Sequence, residues 1–278
     1  MPYLIAVSLL WAFSFGLIKG RLAGLDSAFI SAARLGLALL VFLPFLRLRG
    51  ISVRAALILT GIGAVQFGLM YLAYNESFRY LPAYEVALFT ITTPILVTLL
   101  ADAFDHALRL RALLAALLAV AAAGIMVWHP ATPTGAIKGF LLVQLSNVAF
   151  ATGQVLYRRV RARPDAVADR NHFALAYAGA FLVTSIALLW RGGVPDTLTG
   201  SQAITLLYLG VIASGLGFFL WNRGATQVGA GTLAVMNNAK VPLAVACSLL
   251  FFGESADLPR LLASLGILGF AVWLAEKR

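Results

Sequence analysis

Charge is scarce in this sequence: 12% of its 278 residues are Asp, Glu, Lys or Arg, against about 25% in an average soluble domain. Hydrophobic residues make up 61%, and mean hydropathy is +0.91. Too few polar side chains remain to cover a water-facing surface, so the surrounding medium is partly lipid and a soluble globule is excluded. Cysteine is nearly absent. Cys247 stands alone in an apolar run, which excludes an intrachain disulfide and every cysteine-based metal spacing. No Gly-x-x-x-x-Gly-Lys-Ser/Thr phosphate loop occurs, so ATP hydrolysis is not expected. His106, His129 and His172 lie in or beside connections, no His-Glu-x-x-His is present, and no serine or acid pair has a buried histidine beside it. An enzyme would lack its chemistry, and neither cofactor nor metal is expected.

What the sequence does have is long apolar runs. They fall near 2–19, 27–46, 54–75, 80–101, 110–128, 138–157, 171–190, 202–222, 228–251 and 258–275, each close to the roughly 20 residues that cross a bilayer as a helix. Ten spans use nearly the whole chain, so no extramembrane domain is expected. The first run follows Met1 without a basic stretch and nine others succeed it, which reads as a retained helix and not a cleaved signal.

The net charge is +10. On a soluble protein that would suggest nucleic acid, but these cations sit in short connections and not along one face, so no nucleic-acid partner is expected. With ten spans both termini share one side. Its connections and termini carry Arg47, Arg49, Arg54, Arg109, Arg111, Arg158, Arg159, Arg161, Arg163, Arg170, Arg223, Lys277 and Arg278. The other side has Lys19, Arg21, Arg79, Lys138, Arg191 and Arg260. This bias puts both termini in the cytoplasm of a bacterial-type inner membrane.

The chain also repeats itself. Gly63, Gly68, Tyr71, Tyr74 and Asn75 match Gly210, Gly215, Phe218, Trp221 and Asn222 at constant offset, and Pro94 matches Pro242 one residue later in register. Gly124 to Trp128 resembles Gly269 to Trp273, and Ala12-Phe13 with Gly16 resembles Ala149-Phe150 with Gly153. Two halves follow, 1–130 and 131–278. Each has five spans, an odd number, so the halves are inverted, an architecture shared by many secondary transporters with a midplane site. The fold expected is an all-α polytopic membrane protein of ten helices in two inverted five-helix repeats. An alanine ladder, Ala115, Ala119 and Ala123, serves either packing within one protomer or a dimer seam, leaving monomer and homodimer both open.

The repeat, the opening Leu9-Leu10-Trp11-Ala12-Phe13-Ser14-Phe15, the Ala33-Arg34-Leu35 of the second span, and the two proline helices followed by Phe252-Gly253-Glu254 resemble the drug/metabolite transporter superfamily, and within it the EamA-type ten-helix carriers. The resemblance covers the whole chain. It implies export of small metabolites, amino acids including aromatic ones foremost, by alternating access without ATP; an organophosphate, nucleotide-sugar or drug carrier on the same fold is the alternative.

Ionisable groups within spans are costly, so each is a site candidate. Lys240 lies midway through the ninth span beside Asn237 and Asn238; Asn237 shares its helix face, and Pro242 frees the Asn238 carbonyl. Together they suit a zwitterion, unless Lys240 pairs with the threonines before Pro94. Thr90 and Thr92 form the opposing wall or back-bond within a kinked helix. Arg34 and Glu85 are near enough in depth to pair, or to form an outer gate. Gln66, Asn147 and Gln154 either line a cavity or join helices. Phe67, Tyr71 and Tyr74 share a face, as do Ser214, Phe218 and Trp221, and these aromatics wall a pathway or pack the core; Tyr74 and Trp221, near span ends, read as interfacial belt.

Overall fold

The computed structural model describes residues 1–22, 24–81, 83–127, 136–162, 169–251 and 258–277, with backbone alone at 13–16, 18–20, 83–84, 87–88, 126–127, 136 and 244–251. Trp128, His129, the Cys247 side chain and the Phe252-Gly253-Glu254 turn lie outside what is described. Among the described residues ten helical segments follow one another: α1 (Pro2–Arg21), α2 (Ser27–Phe42), α3 (Val53–Ser77), α4 (Ala83–Thr90, then Thr93–Asp105) and α5 (Leu110–Val127). The second five are α6 (Ala136–Arg161), α7 (Asp169–Arg191), α8 (Gly200–Ala225), α9 (Ala230–Phe251) and α10 (Leu258–Glu276). The described residues contain no strand. The protein is an all-α, multi-pass membrane protein.

Polar residues in the connections start the helices. Asp26 caps α2 by accepting from the amides of Ala28 and Phe29 at 2.8 and 3.1 Å, Ser52 caps α3, and Thr199 with Gln202 forms a reciprocal capping box on α8. Segment ends fall within a few residues of those read from the apolar runs. The interiors differ from simple helices. α4 is interrupted at Ile91–Thr92, and α3 and α8 contain π-helical stretches at Ala64–Leu69 and Tyr208–Leu216. Local π turns widen a helix and redirect its side chains, and they recur at functional sites. The two stretches overlap under the repeat offset that relates Gly63 to Gly210.

The segments assemble into two groups of four. α2, α3, α7 and α8 pack on one another, as do α4, α5, α9 and α10, while α1 and α6 touch both groups. Among the described residues no extensive packing joins one group directly to the other. Each group takes two helices from each half of the sequence, so the halves are interleaved. Glycine notches hold the first group together: a Cβ at Gly68 would meet Ala180 Cα at 3.2 Å, and one at Gly215 would meet Ala38 Cα at 3.6 Å. One repeat-related notch receives α7 and the other α2. The alanine ladder is wholly buried within the chain, where α5 meets α9 and α10, so it is internal packing and no dimer seam.

At the end of the molecule with more cations, Arg109 donates to Asp102 at 2.9 Å and to Asp105 at 2.6 Å, and Arg159 of α6 also pairs with Asp105. This clasp fastens α4 to α6. The hydrogen bond from Arg109 holds the Asp105 carboxyl below its usual range. Its contribution is therefore full above the ordinary aspartate value and lost as pH falls through the lowered one. Acidification should loosen the clasp, and Arg159→Ala should do so at neutral pH; amide hydrogen exchange at the α4–α5 turn checks both. The effect will be small because the groups are exposed.

Candidate functional site

The interruption in α4 sets out the site. A helix that stops inside a bilayer leaves carbonyls without N–H partners, and each needs a donor from elsewhere. Three are supplied by side chains. Gln144 and Asn147 of α6 donate to the Phe89 carbonyl at 3.1 and 2.9 Å, Thr93 donates to that of Thr90 at 2.7 Å, and Asn238 of α9 donates to that of Ile91 at 2.9 Å. The α8 π stretch is treated likewise: Trp11 Nε1 donates to the Ala213 carbonyl at 2.9 Å, and the Tyr177 hydroxyl reaches those of Ser214 and Gly215 at 2.9 and 2.6 Å.

Between these two irregular segments lies a cavity of about 100 Å³. The α2–α3–α7–α8 group contributes Arg34, Met70, Tyr71, Tyr74 and Phe218; the other group contributes Thr90, Thr93 and Lys240; α1 and α6 add Trp11, Ser146, Asn147 and Phe150. It sits at the seam between the groups. Five of these twelve residues are aromatic. Phe218 is the centre of a row, with its ring centroid 5.5 Å from that of Tyr71 and 5.4 Å from that of Trp11. A cation flanks each end of the row: the Arg34 guanidinium lies 4.3 Å from the Tyr71 centroid, and Lys240 Nζ lies 5.8 Å from that of Trp11. Among the described residues no carboxylate lines the cavity.

Of the expected site residues, the structure brings Lys240, Thr90, Tyr71, Phe218 and Arg34 together. Five others with amide or hydroxyl side chains lie off the cavity. Asn237 and Gln154 pair amide to amide at 3.2 Å, with Trp221 Nε1 donating to Gln154 at 3.0 Å. Asn238 is occupied by the Ile91 and Ala119 carbonyls, Thr92 by Phe89 and Gln144, and Gln66 donates to Asn222 at 3.1 Å. All five satisfy protein groups, as buried amides and hydroxyls in lipid must. Among the described residues no ion pair joins Arg34 to Glu85, because Arg34 is engaged by Tyr71 and Ser214 instead. Trp221 is 1% exposed and no belt residue; α8 runs to Ala225, which draws it inside against Trp11 and Phe150. Tyr74 lines the cavity. Phe67 stacks on Phe218 at 4.5 Å as core. The sequence reading missed Trp11 and Phe150 as lining residues. The signal for Phe150 was the α1/α6 repeat match at Ala12-Phe13 and Ala149-Phe150, and that for Trp11 its place in the opening run Leu9-Leu10-Trp11-Ala12-Phe13-Ser14-Phe15.

The EamA-like transporter family profile matches residues 1–128 and again 137–275. The chain belongs to this family. It is a membrane transporter and not an enzyme. A probable biotin transporter of Pseudomonas aeruginosa is 43% identical over 277 residues, covering 99% of this chain and 96% of that protein. Biotin transporters of Salmonella typhimurium and Escherichia coli are 41% and 42% identical over 283 residues, covering all of this chain and 93% of each. A crystal structure 16% identical, covering 98% of this carrier and 94% of its own chain with a TM-score of 0.79, shares the fold.

Proposed function

We propose that the carrier moves a small, largely apolar organic carboxylate across the bacterial inner membrane, biotin first among them. The observation that carries this reading is a cavity with five aromatic rings among its twelve lining residues, two cations and, among the described residues, no carboxylate. A monocarboxylate gains counter-charge there, while an amino acid would leave its ammonium unpaired in a low-dielectric site. That disfavours the amino-acid reading. Biotin has one carboxylate, an aliphatic chain and a polar bicyclic head, which suit the cations, the aromatic row and the hydroxyls of Thr93 and Ser146. The names of the relatives agree.

Arg34 and Lys240 stand on opposite helix groups, so alternating access is a rocking of one group against the other about α1 and α6. The division at 1–130 and 131–278 is supported by the two separate profile matches, and the cation bias supports cytoplasmic termini. The test is radiolabelled biotin uptake into proteoliposomes without ATP. Uptake should saturate and be displaced by unlabelled biotin but not by amino acids or sugar phosphates. Flux of leucine or phenylalanine with none of biotin would reverse the assignment.

A further inference from the structure

Among the described residues the hydrogen-bond partners of Arg34 are hydroxyls. Its Nε donates to Ser214 Oγ at 3.2 Å, its Nη2 donates to the Tyr71 hydroxyl, and the Tyr71 and Ser214 oxygens are 3.0 Å apart. Ser214 lies in the α8 π stretch, whose carbonyls Tyr177 fastens. Arg34 is 3% exposed, yet its remaining nitrogen, Nη1, has no hydrogen-bond partner among the described residues. Two neutral oxygens orient the guanidinium without cancelling its charge. A carboxylate in either place would neutralise it and compete with an anionic ligand; hydroxyls do not. An unpaired N–H and an uncompensated charge at this depth are both costly, which points to an acceptor arriving from outside the chain.

We propose that Tyr71 and Ser214 are positioning residues that preset Arg34 to receive the cargo's carboxylate on its Nη1 edge, making Arg34 the residue that selects an ionised acid over its neutral amide. This rests on the reading of the cargo as an organic carboxylate. Lys240 attracts the same group from the opposite helix group, but an ammonium on a flexible stem is a point charge and imposes no planar geometry. Selection therefore belongs to the fork.

The experiment measures inhibition of labelled biotin uptake by biotin and by biotinamide in proteoliposomes of wild type, Tyr71→Phe, Ser214→Ala and Arg34→Lys. Tyr71→Phe keeps the ring under the guanidinium and removes only the hydroxyl. Wild type should prefer acid to amide, and each variant should lose about tenfold of that preference, through a higher KM for biotin with turnover little changed. A residue that only supports the fold would shift acid and amide together, or lower Tm with the preference intact. Wild-type preference retained in both Tyr71→Phe and Ser214→Ala overturns the inference while leaving the cargo reading standing. A wild type that carries no carboxylate overturns both.

Discussion

Lys240→Met will give a carrier that is more stable than the parent and transports almost nothing. Lys240 lies ten residues into α9, about 15 Å from its Ala230 end. The lysine stem cannot carry its ammonium to the membrane surface from there. Among the described residues it makes no ion pair; its recorded neighbour is the Trp11 ring at 5.8 Å. A charge at the centre of a span costs at least about 2.5 kcal/mol relative to an apolar residue. Methionine has nearly the same length and shape, so removing the charge relieves that cost and leaves no cavity. Tm should rise. Transport should fall by about thirtyfold or more, since losing one partner of a desolvated charge pair costs about 2–5 kcal/mol and each 1.4 kcal/mol is tenfold. Initial rates of biotin uptake and thermal unfolding of the same preparation measure the two effects together. Flux within about threefold of wild type would remove Lys240 from the site, and a lower Tm would show that its role is structural.

Sequence reasoning reached Lys240 because depth in a span can be counted from apolar runs. The same arithmetic placed the ten helical segments of the described residues, since lipid demands continuous apolar segments. It could not see that α4 breaks at Ile91–Thr92 or that α3 and α8 pass through π turns. Those irregularities exist because donors on other helices, Asn147, Asn238, Trp11 and Tyr177 among them, meet the freed carbonyls. Such pairings are properties of the assembled bundle. Asn237 shows the limit most clearly. Its spacing from Lys240 places both on one helix face, yet an amide three residues away also reached Gln154, and the mutual pair won. Arg34 was visible as a buried charge, but its hydroxyl partners were not: Ser214 is 180 residues away. The two helix groups were equally hidden, because a repeat shows which segments correspond and not which segments pack.

Gly63→Ala and Gly179→Ala should each prevent the carrier from folding stably, the second largest effect the structure implies. α3 and α7 cross where Gly63 faces Ala176 and Gly179 faces Thr60. A Cβ at Gly63 would lie 1.9 Å from the Ala176 carbonyl oxygen, and one at Gly179 would lie 1.9 Å from that of Thr60. Both obstacles are backbone, so no rotamer change makes room. In lipid, helices associate through close packing and not through expulsion of water, so separating the two backbones forfeits most of what holds them together. Overpacking a tight contact costs about 1–3 kcal/mol, and a clash with rigid backbone belongs at or above the upper end. Gly61, two residues from Gly63, has nothing within 4 Å of its would-be Cβ. Gly61→Ala should therefore gain up to about 1 kcal/mol from helix propensity. Thermal unfolding of the three purified variants gives the comparison, with Gly61→Ala at or above wild type and the other two far below it. If Gly63→Ala unfolds like wild type, α3 and α7 are not in backbone contact at this crossing. The consequence reaches the cavity, because α7 carries Tyr177, whose hydroxyl fastens the stretch of α8 that presents Ser214 to Arg34. Any fraction of Gly63→Ala that does fold should show the weakened acid-over-amide preference of Ser214→Ala, while folded Lys240→Met loses flux.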